Sequence, residues 1–135
     1  QCPACGHQKR RPETFTEVIL PVPESAGRSL QELLEEKLAQ QLMQDPITCP
    51  KCNHKGVHFA TWSEIRSPPR QLVIALIRFD FRLAAGGLVK LKTPIAISES
   101  IQLGPYTYEF YFSIQHCGAT ADSGHYTGFG KRSDV

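Results

Sequence analysis

Two near-identical cysteine pairs and one histidine on a glycine-flanked loop are the residues whose types and spacing suit chemistry. Cys2-Pro3-Ala4-Cys5-Gly6-His7 and Cys49-Pro50-Lys51-Cys52-Asn53-His54 each place Pro after the first cysteine and Gly or Asn after the second. Pro fixes φ as the turn begins, and Gly or Asn tolerates the left-handed geometry that must follow. Two such knuckles supply four thiolates, the donor set of a tetrahedral structural Zn²⁺ site. The interval from Cys5 to Cys49 exceeds the roughly 15–20-residue insert of many zinc ribbons. The duplicated Cys-Pro-x-Cys keeps the signal strong despite this. A redox pair would need a βαβ pattern around it, and neither knuckle has one. His7 or His54 replacing a cysteine is a second ligand set, although four thiolates already complete the shell. A shell of four cysteines leaves no open position for water, so metal at Cys2, Cys5, Cys49 and Cys52 is expected to be structural.

The histidine stands near the C-terminus. A β-rich run, 106–115, leads through His116-Cys117-Gly118 and a short polar loop into Ser123-Gly124-His125-Tyr126 and a second short strand ending near Gly130. Strands on either side fix the position of such a histidine, and small residues beside it let a substrate backbone approach. This suits His125 as a general base. A base of this kind needs a partner nucleophile. Four of the five cysteines are committed to metal. The fifth, Cys117, ends a strand before a Gly-rich loop.

The elements that must position these groups fit one domain of mixed type. At 135 residues with 41% apolar content, a packed core is feasible and global disorder is not expected. A net charge of +2 gives no strong case for nucleic acid or membrane as partner. Lys9-Arg10-Arg11 is the one basic run. A zinc-ribbon nucleic-acid binder would rest on it alone, and such a run is ordinarily just solvated. The longest apolar run, Leu72 to Ile77, is too short to span a bilayer. Paired knuckles without a signal peptide favour a reducing, intracellular compartment, cytoplasm or nucleus. With no initiating Met, the chain is expected to be part of a longer protein.

Between the knuckles, Phe15 to Leu20 reads as a strand closed by Pro21-Val22-Pro23. Ser29-Leu30-Gln31-Glu32 is a capping box. Leu30, Leu33, Leu34, Leu38 and Leu42 follow at helical spacing, which predicts an amphipathic helix from Ser29 to about Met43. After the second knuckle come a strand over His58 to Ile65 and a nearly continuous apolar strand, Gln71 to Phe79, expected to be buried on both faces. A turn at Ala84 to Gly87 follows, then strands at Leu88–Lys92 and Pro94–Ser98. In the run from Tyr106 to Gln115 the side chains Tyr106, Tyr108, Phe110, Phe112 and Ile114 share one face, expected to be core.

The order of these features resembles the ubiquitin-specific proteases. The His-x-Gly, polar loop and Gly-His-Tyr segment is similar to that family's histidine box. Strand, capped helix and second knuckle are similar to its zinc-tipped fingers. Ser67-Pro68-Pro69-Arg70-Gln71-Leu72-Val73-Ile74-Ala75-Leu76-Ile77-Arg78-Phe79 resembles its palm strand, with Pro68 where Leu is common. The resemblance covers Cys2 to about Lys131.

It implies an α+β fold, mainly antiparallel strands with one clear helix and a four-cysteine zinc ribbon: the fingers and part of the palm of a papain-like cysteine protease. Residues 1–65 would form the zinc-binding fingers region and residues 66–135 the palm strands carrying the histidine box. The implied activity is thiol-dependent hydrolysis after the C-terminal glycine of ubiquitin. His125 would be the catalytic base, His116 a positioning residue, and Ser123, Gly124 and Tyr126 substrate-binding. Asp122 and Ser123 could bond the backbone of the ubiquitin tail. The nucleophile and the orienting acid are not matched here; Asp134 lacks the family's context for that acid. The chain alone is therefore expected to be inactive. The implied partners are ubiquitin or ubiquitinated proteins and the thumb portion of the same catalytic domain. An alternative is a catalytically inactive module of the same fold that binds ubiquitin or another partner.

Overall fold

The computed structural model describes residues 1–120 and 123–131. Twelve strands are described: β1 (Val18–Pro21), β2 (Arg28–Ser29), β3 (Gln41–Leu42), β4 (Ala60–Thr61), β5 (Ile74–Ile77), β6 (Phe79–Arg82), β7 (Gly87–Lys90), β8 (Ile95–Ala96), β9 (Ser100–Leu103), β10 (Tyr106–Glu109), β11 (Phe112–Cys117) and β12 (His125–Gly130). One α-helix, α1 (Leu30–Leu38), stands among them, and a 3₁₀ turn at Leu83–Ala85 joins β6 to β7. The strands pair in twos. β3–β4, β6–β7, β9–β10 and β11–β12 are antiparallel, whereas β1–β5 and β2–β8 are parallel. The α+β class with mainly antiparallel strands and one helix is thus observed. Among the described residues no helix is long and apolar enough to cross a membrane.

The chain divides into two compact units. The first comprises Gln1–Thr16 and Glu35–Ser67. Its core is small: Cys2, Cys49 and Val57 are buried, with Phe59 packed against them. A single Ile47–Val57 bridge and the β3–β4 pair hold its hairpin, and Met43 N–H donates to Phe59 O at 2.8 Å. The second unit comprises Glu17–Leu34 and Pro68–Val135. In β1 burial alternates as a strand requires: Val18 and Leu20 are buried while Ile19 is exposed. Leu33, Leu34, Ile101 and Leu103 are also buried. The side-chain amide of Gln31 clips the helix to β9, donating to Gln102 O at 3.1 Å and accepting from Gln102 N–H at 2.7 Å.

The capping box forms as the sequence specifies. Glu32 N–H donates to Ser29 Oγ at 3.2 Å, and Glu32 Oε2 accepts from Ser29 N–H at 2.7 Å. The helix ends sooner than its leucine spacing predicts. It stops at Leu38; Gln41 Nε2 donates to the last-turn carbonyl of Glu36 at 3.1 Å, and Gln41–Leu42 leaves as β3 to pair with β4. Leu42 is therefore 68% exposed instead of continuing the buried stripe. Long-range strand pairing overrides the local helical period there.

Four other expectations are corrected. The run Gln71–Phe79 is two strands, parted at Arg78. Arg78 O accepts from Leu91 N–H at 2.6 Å, and its guanidinium donates to Thr93 O at 2.7 Å. β5 is half-buried instead of enclosed, because β1 is its one strand partner among the described residues. The run Tyr106–Gln115 breaks at Phe110–Tyr111, so β10 pairs with β9 while β11 pairs with β12. Its aromatic face is no core: Phe112 is 54% and Ile114 70% exposed. The buried apolar residues of the β9–β10 hairpin are Ile101 and Leu103, on a strand that the sequence reading did not separate.

Candidate functional site

The four cysteines are brought together. Cys2 N–H donates to His7 O and Gly6 N–H to Cys2 O; Cys49 N–H donates to His54 O and Asn53 N–H to Cys49 O, all at 2.9 Å. The two knuckles are thus the same turn made twice. Gly6 (φ 71°) and Asn53 (φ 55°) occupy the left-handed region where the sequence placed Gly and Asn. Cys2 and Cys49 are buried while Cys5 and Cys52 are exposed, and all five cysteines of the chain are free.

All four Sγ atoms lie within 4.8 Å of one another. Cys5 Sγ and Cys49 Sγ are 3.8 Å apart. A tetrahedral ion with metal–sulfur bonds of ~2.3 Å requires sulfur–sulfur edges of about 3.8 Å. The cluster therefore fits a divalent soft-metal site. Its electrostatics agree. The backbone N–H of Cys52 leads the groups that pull the Cys49 thiol down to about 6, with Lys51 N–H and the Cys52 and Cys2 side chains helping against desolvation. At Cys5 the His7 N–H also pulls downward, but desolvation and the Cys52, Cys2 and Cys49 side chains push the thiol up to about 11. Thiolates this close repel each other, and a cation among them would remove the conflict. The cluster that could hold a metal consists of cysteines; His7 and His54 contribute backbone carbonyls to the turns.

The histidine hairpin is built by β11 and β12. Their register sets Cys117 opposite His125 and His116 opposite Tyr126. His125, Thr127 and Cys117 therefore share one face, and Tyr126 and His116 the other. Cys117 Sγ lies 3.5 Å from Thr127 Oγ1. The Tyr126 and His116 rings meet at 5.1 Å between centroids. His125 is exposed, as are Ser123, Gly124 and Tyr126. Ser123 Oγ and Thr120 Oγ1 are 2.9 Å apart, a bond that ties the loop across its own width. Asp122 and Asp134 lie outside the described residues. Among the described residues no carboxylate hydrogen-bonds the His125 imidazole.

Glycine is required on this hairpin for a steric reason. A Cβ on Gly124 (φ 140°) would stand 2.4 Å from Cys117 O and 2.7 Å from His116 Nε2; one on Gly118 would stand 2.3 Å from Ser123 O. The two ends of the loop are in backbone contact, and only Gly at both ends permits it. Further along, the Phe112 ring covers Gly128 and Gly130, where a Cβ would come within 2.6 and 2.8 Å of it.

One contributor escaped the sequence reading. Lys90, the last residue of β7, donates to His116 O and Gly118 O, each at 2.8 Å, and lies 3.1 Å from His116 Nδ1. A lysine on an alternating strand gives no hint of a partner 26 positions later. Its cross-strand neighbour Phe79 gave a partial hint as the end of the Arg-Phe motif, and its ring meets that of His116 at 6.1 Å.

A strand-rich fold with a four-cysteine cluster able to hold a metal ion in one unit and a glycine-shaped histidine hairpin in the other is the combination to set beside known families. Residues 12–134 match the family model described as "Ubiquitin carboxyl-terminal hydrolase", and the chain belongs to that family. It is 29% identical over 135 residues to Ubiquitin carboxyl-terminal hydrolase 48 of Danio rerio, with 93% of this chain and 13% of that protein covered. It is 27% identical over 145 residues to Ubiquitin carboxyl-terminal hydrolase 47 of Drosophila melanogaster, with 92% and 9% covered. Its fold superposes on a chain of the yeast SAGA DUB module carrying a mutant Sgf73, with TM-score 0.82 and 25% identity, over 98% of this chain and 31% of that one. A SAGA Ubp8/Sgf11/Sus1/Sgf73 DUB module bound to ubiquitin aldehyde shares the fold, with TM-score 0.80 and 24% identity, over 98% of this chain and 32% of that one. The chain thus spans a minor part of the length of each protein it matches.

Proposed function

We propose that this chain is the fingers and histidine-bearing palm portion of a ubiquitin-specific cysteine protease, which hydrolyses the bond after the C-terminal glycine of ubiquitin. The observation that carries the reading is the placement of His125. It stands exposed at the first position of β12, on a loop whose ends can close only through Gly118 and Gly124. In this role His125 takes the proton of a thiol supplied by other residues of the catalytic domain. The thiolate attacks the glycine carbonyl, and the histidine returns the proton to the leaving amine; water then releases the acyl group. Ser123, Gly124 and Tyr126 flank the path of the substrate tail. A cleft bounded by glycines admits a tail ending in two glycines and rejects bulkier residues.

Cys2, Cys5, Cys49 and Cys52 would hold Zn²⁺, which would staple the two knuckles of residues 1–65 so that they grip the body of ubiquitin; residues 66–135 serve as palm. The metal supplies rigidity, since four thiolates fill its shell. Cys117 shares a face with His125, but it ends a strand whose thiol meets Thr127 and has no helix N-terminus to activate it. The chain by itself is therefore inactive, and the thumb of the same domain supplies the nucleophile.

The test is hydrolysis of a fluorogenic ubiquitin C-terminal amide by the full-length protein. His125→Ala should abolish turnover while ubiquitin binding persists, and the isolated chain should show none. Full activity in His125→Ala overturns the assignment. A full-length protein that binds ubiquitin yet is inactive with His125 intact would be the binding-only module of the same fold.

A further inference from the structure

We propose that Lys90 is a positioning residue for the general base, clamping both ends of the loop that delivers His125; the proposal rests on the reading of His125 given above. An ammonium offers three N–H donors and no acceptor. On Lys90 all three have a partner in one place: His116 O at 2.8 Å, Gly118 O at 2.8 Å and His116 Nδ1 at 3.1 Å. The two carbonyls bracket Cys117, the residue paired with His125 across the β11–β12 ladder. Lys90 thus fixes the entry of the loop directly, through charge-assisted bonds that are about twice as strong as neutral ones.

The exit is fixed through the His116 ring. A lysine can only donate, so Nδ1 must accept, and the ring presents its other edge, Nε2, to Gly124. That edge is so close that a Cβ on Gly124 would stand 2.7 Å from Nε2. Gly124 immediately precedes His125. The ring is packed on either side of this contact, against Tyr126 at 5.1 Å and Phe79 at 6.1 Å between centroids. Phe79 and Lys90 are cross-strand partners in the β6–β7 hairpin, so one face of that hairpin supplies both the cation and an aromatic seat for His116. Lys90, half-buried, touches no atom assigned to substrate. Its effect on catalysis passes through His116 and the loop.

The experiment uses the full-length protein and a fluorogenic ubiquitin C-terminal amide, with K90M, K90Q, K90R and H125A assayed side by side. K90M keeps the length of the side chain and removes its donors. A clamp predicts that kcat falls about tenfold to a hundredfold in folded K90M, since small displacements of a catalytic group cost that much. It predicts a KM within about threefold of wild type, because the loss is in the transition state and not in ubiquitin binding. K90R, which retains charge and donors, should recover most of kcat. If H125A retains activity, the general-base reading fails whatever Lys90 does. If H125A is inactive and folded K90M turns over at the wild-type kcat, the clamp is overturned and the base stands. A K90M defect seen as raised KM and lowered melting temperature, and not rescued by K90R, also overturns it, since that is a general structural role. Should K90M not fold, K90Q carries the test: its amide cannot serve three acceptors, so a lowered kcat at unchanged KM supports the clamp and a wild-type kcat overturns it.

Discussion

The cysteine knuckles and the histidine hairpin are both short turns that present a reactive side chain, yet they are stabilised in opposite ways. Each knuckle is locally complete. Its proline, its left-handed residue and its two backbone bonds all lie within six positions, and the same two bonds recur at Cys2 and at Cys49. The first cysteine of each knuckle, Cys2 and Cys49, lies at the buried centre of a very small core. The histidine hairpin is exposed along the whole of β12 and is contacted by residues far away in sequence, Lys90 and Phe79. The first region gathers four cysteines that could hold one metal ion. The second depends on a set of close contacts that tolerate no added atom.

The largest effect that would sharpen this contrast is metal removal. Beyond Cys2, Cys49 and Val57, Ala60 is the only other buried apolar residue described in the first unit. That core is too small to hold the knuckles without a cross-link, and structural zinc sites of this kind contribute on the order of 10 kcal/mol to folding. Chelation, or Cys49→Ser, should therefore abolish the cooperative unfolding of the knuckle unit, read by calorimetry with metal content measured in parallel. The amide protection of the β11–β12 hairpin, followed by hydrogen exchange, should change far less. An unchanged melting curve after complete metal removal would refute the structural role and erase the contrast.

Glycine replacement probes the two regions on the same footing. Gly56, just past the second knuckle, has φ 69° with nothing within 4 Å of an added Cβ. Gly56→Ala should cost only backbone strain, roughly 1–2 kcal/mol, and leave metal content intact. At Gly124 the added carbon would meet backbone, Cys117 O at 2.4 Å, as well as His116 Nε2. The loop must open to make room, and His125 moves with it. Gly124→Ala in the full-length protein should lower kcat/KM by about a hundredfold, as misplacement of a catalytic group does. Metal content should not change. Equal effects of the two substitutions on activity would break the distinction between a local turn and a contact-shaped loop.

That distinction also explains what could be read from the chain. The knuckles were legible because a turn that closes within six residues advertises itself through residue type: Pro3 and Pro50, Gly6 and Asn53. The capping box at Ser29 and Glu32 was legible for the same reason. The position of His125 between two strands followed from Gly118 and Gly124. The length of α1 did not, because pairing of Gln41–Leu42 with β4 is a long-range event that overrides a leucine period. The strand Tyr106–Gln115 looked continuous because alternation is blind to partners. Its two halves pair with different strands, and that change of partner breaks it at Phe110–Tyr111. The same blindness turned an exposed aromatic face into an expected core. Lys90 was invisible because its role is defined by residues 26 and 28 positions away.

The smallest effect tests whether a locally closed motif outside the metal site behaves as the knuckles do. Glu32 accepts hydrogen bonds from Ser29 N–H and Ser29 Oγ, and these, with Arg28 nearby and against some desolvation, hold its carboxyl below the ordinary value of 4.5. A depressed carboxylate contributes stability that is present above its unfolded pKa and is lost as pH falls through its lower folded value. The cap should therefore be intact at neutral pH and weaken below about pH 4.5, where the unfolded state begins to take up the proton that the folded state refuses. Ser29→Ala should cost about 1 kcal/mol at pH 7 through loss of the cap. Glu32→Gln should flatten the acid limb of the stability curve without moving its neutral plateau by as much as Ser29→Ala does, because the amide oxygen can still accept from Ser29. Chemical denaturation from about pH 3.5 to 7, with wild type and variants compared at equal measured metal content at each pH, reads both. If the acid limb of Glu32→Gln matches that of wild type, the cap contributes nothing through ionisation, and local closure alone would not explain why this helix begins where it does.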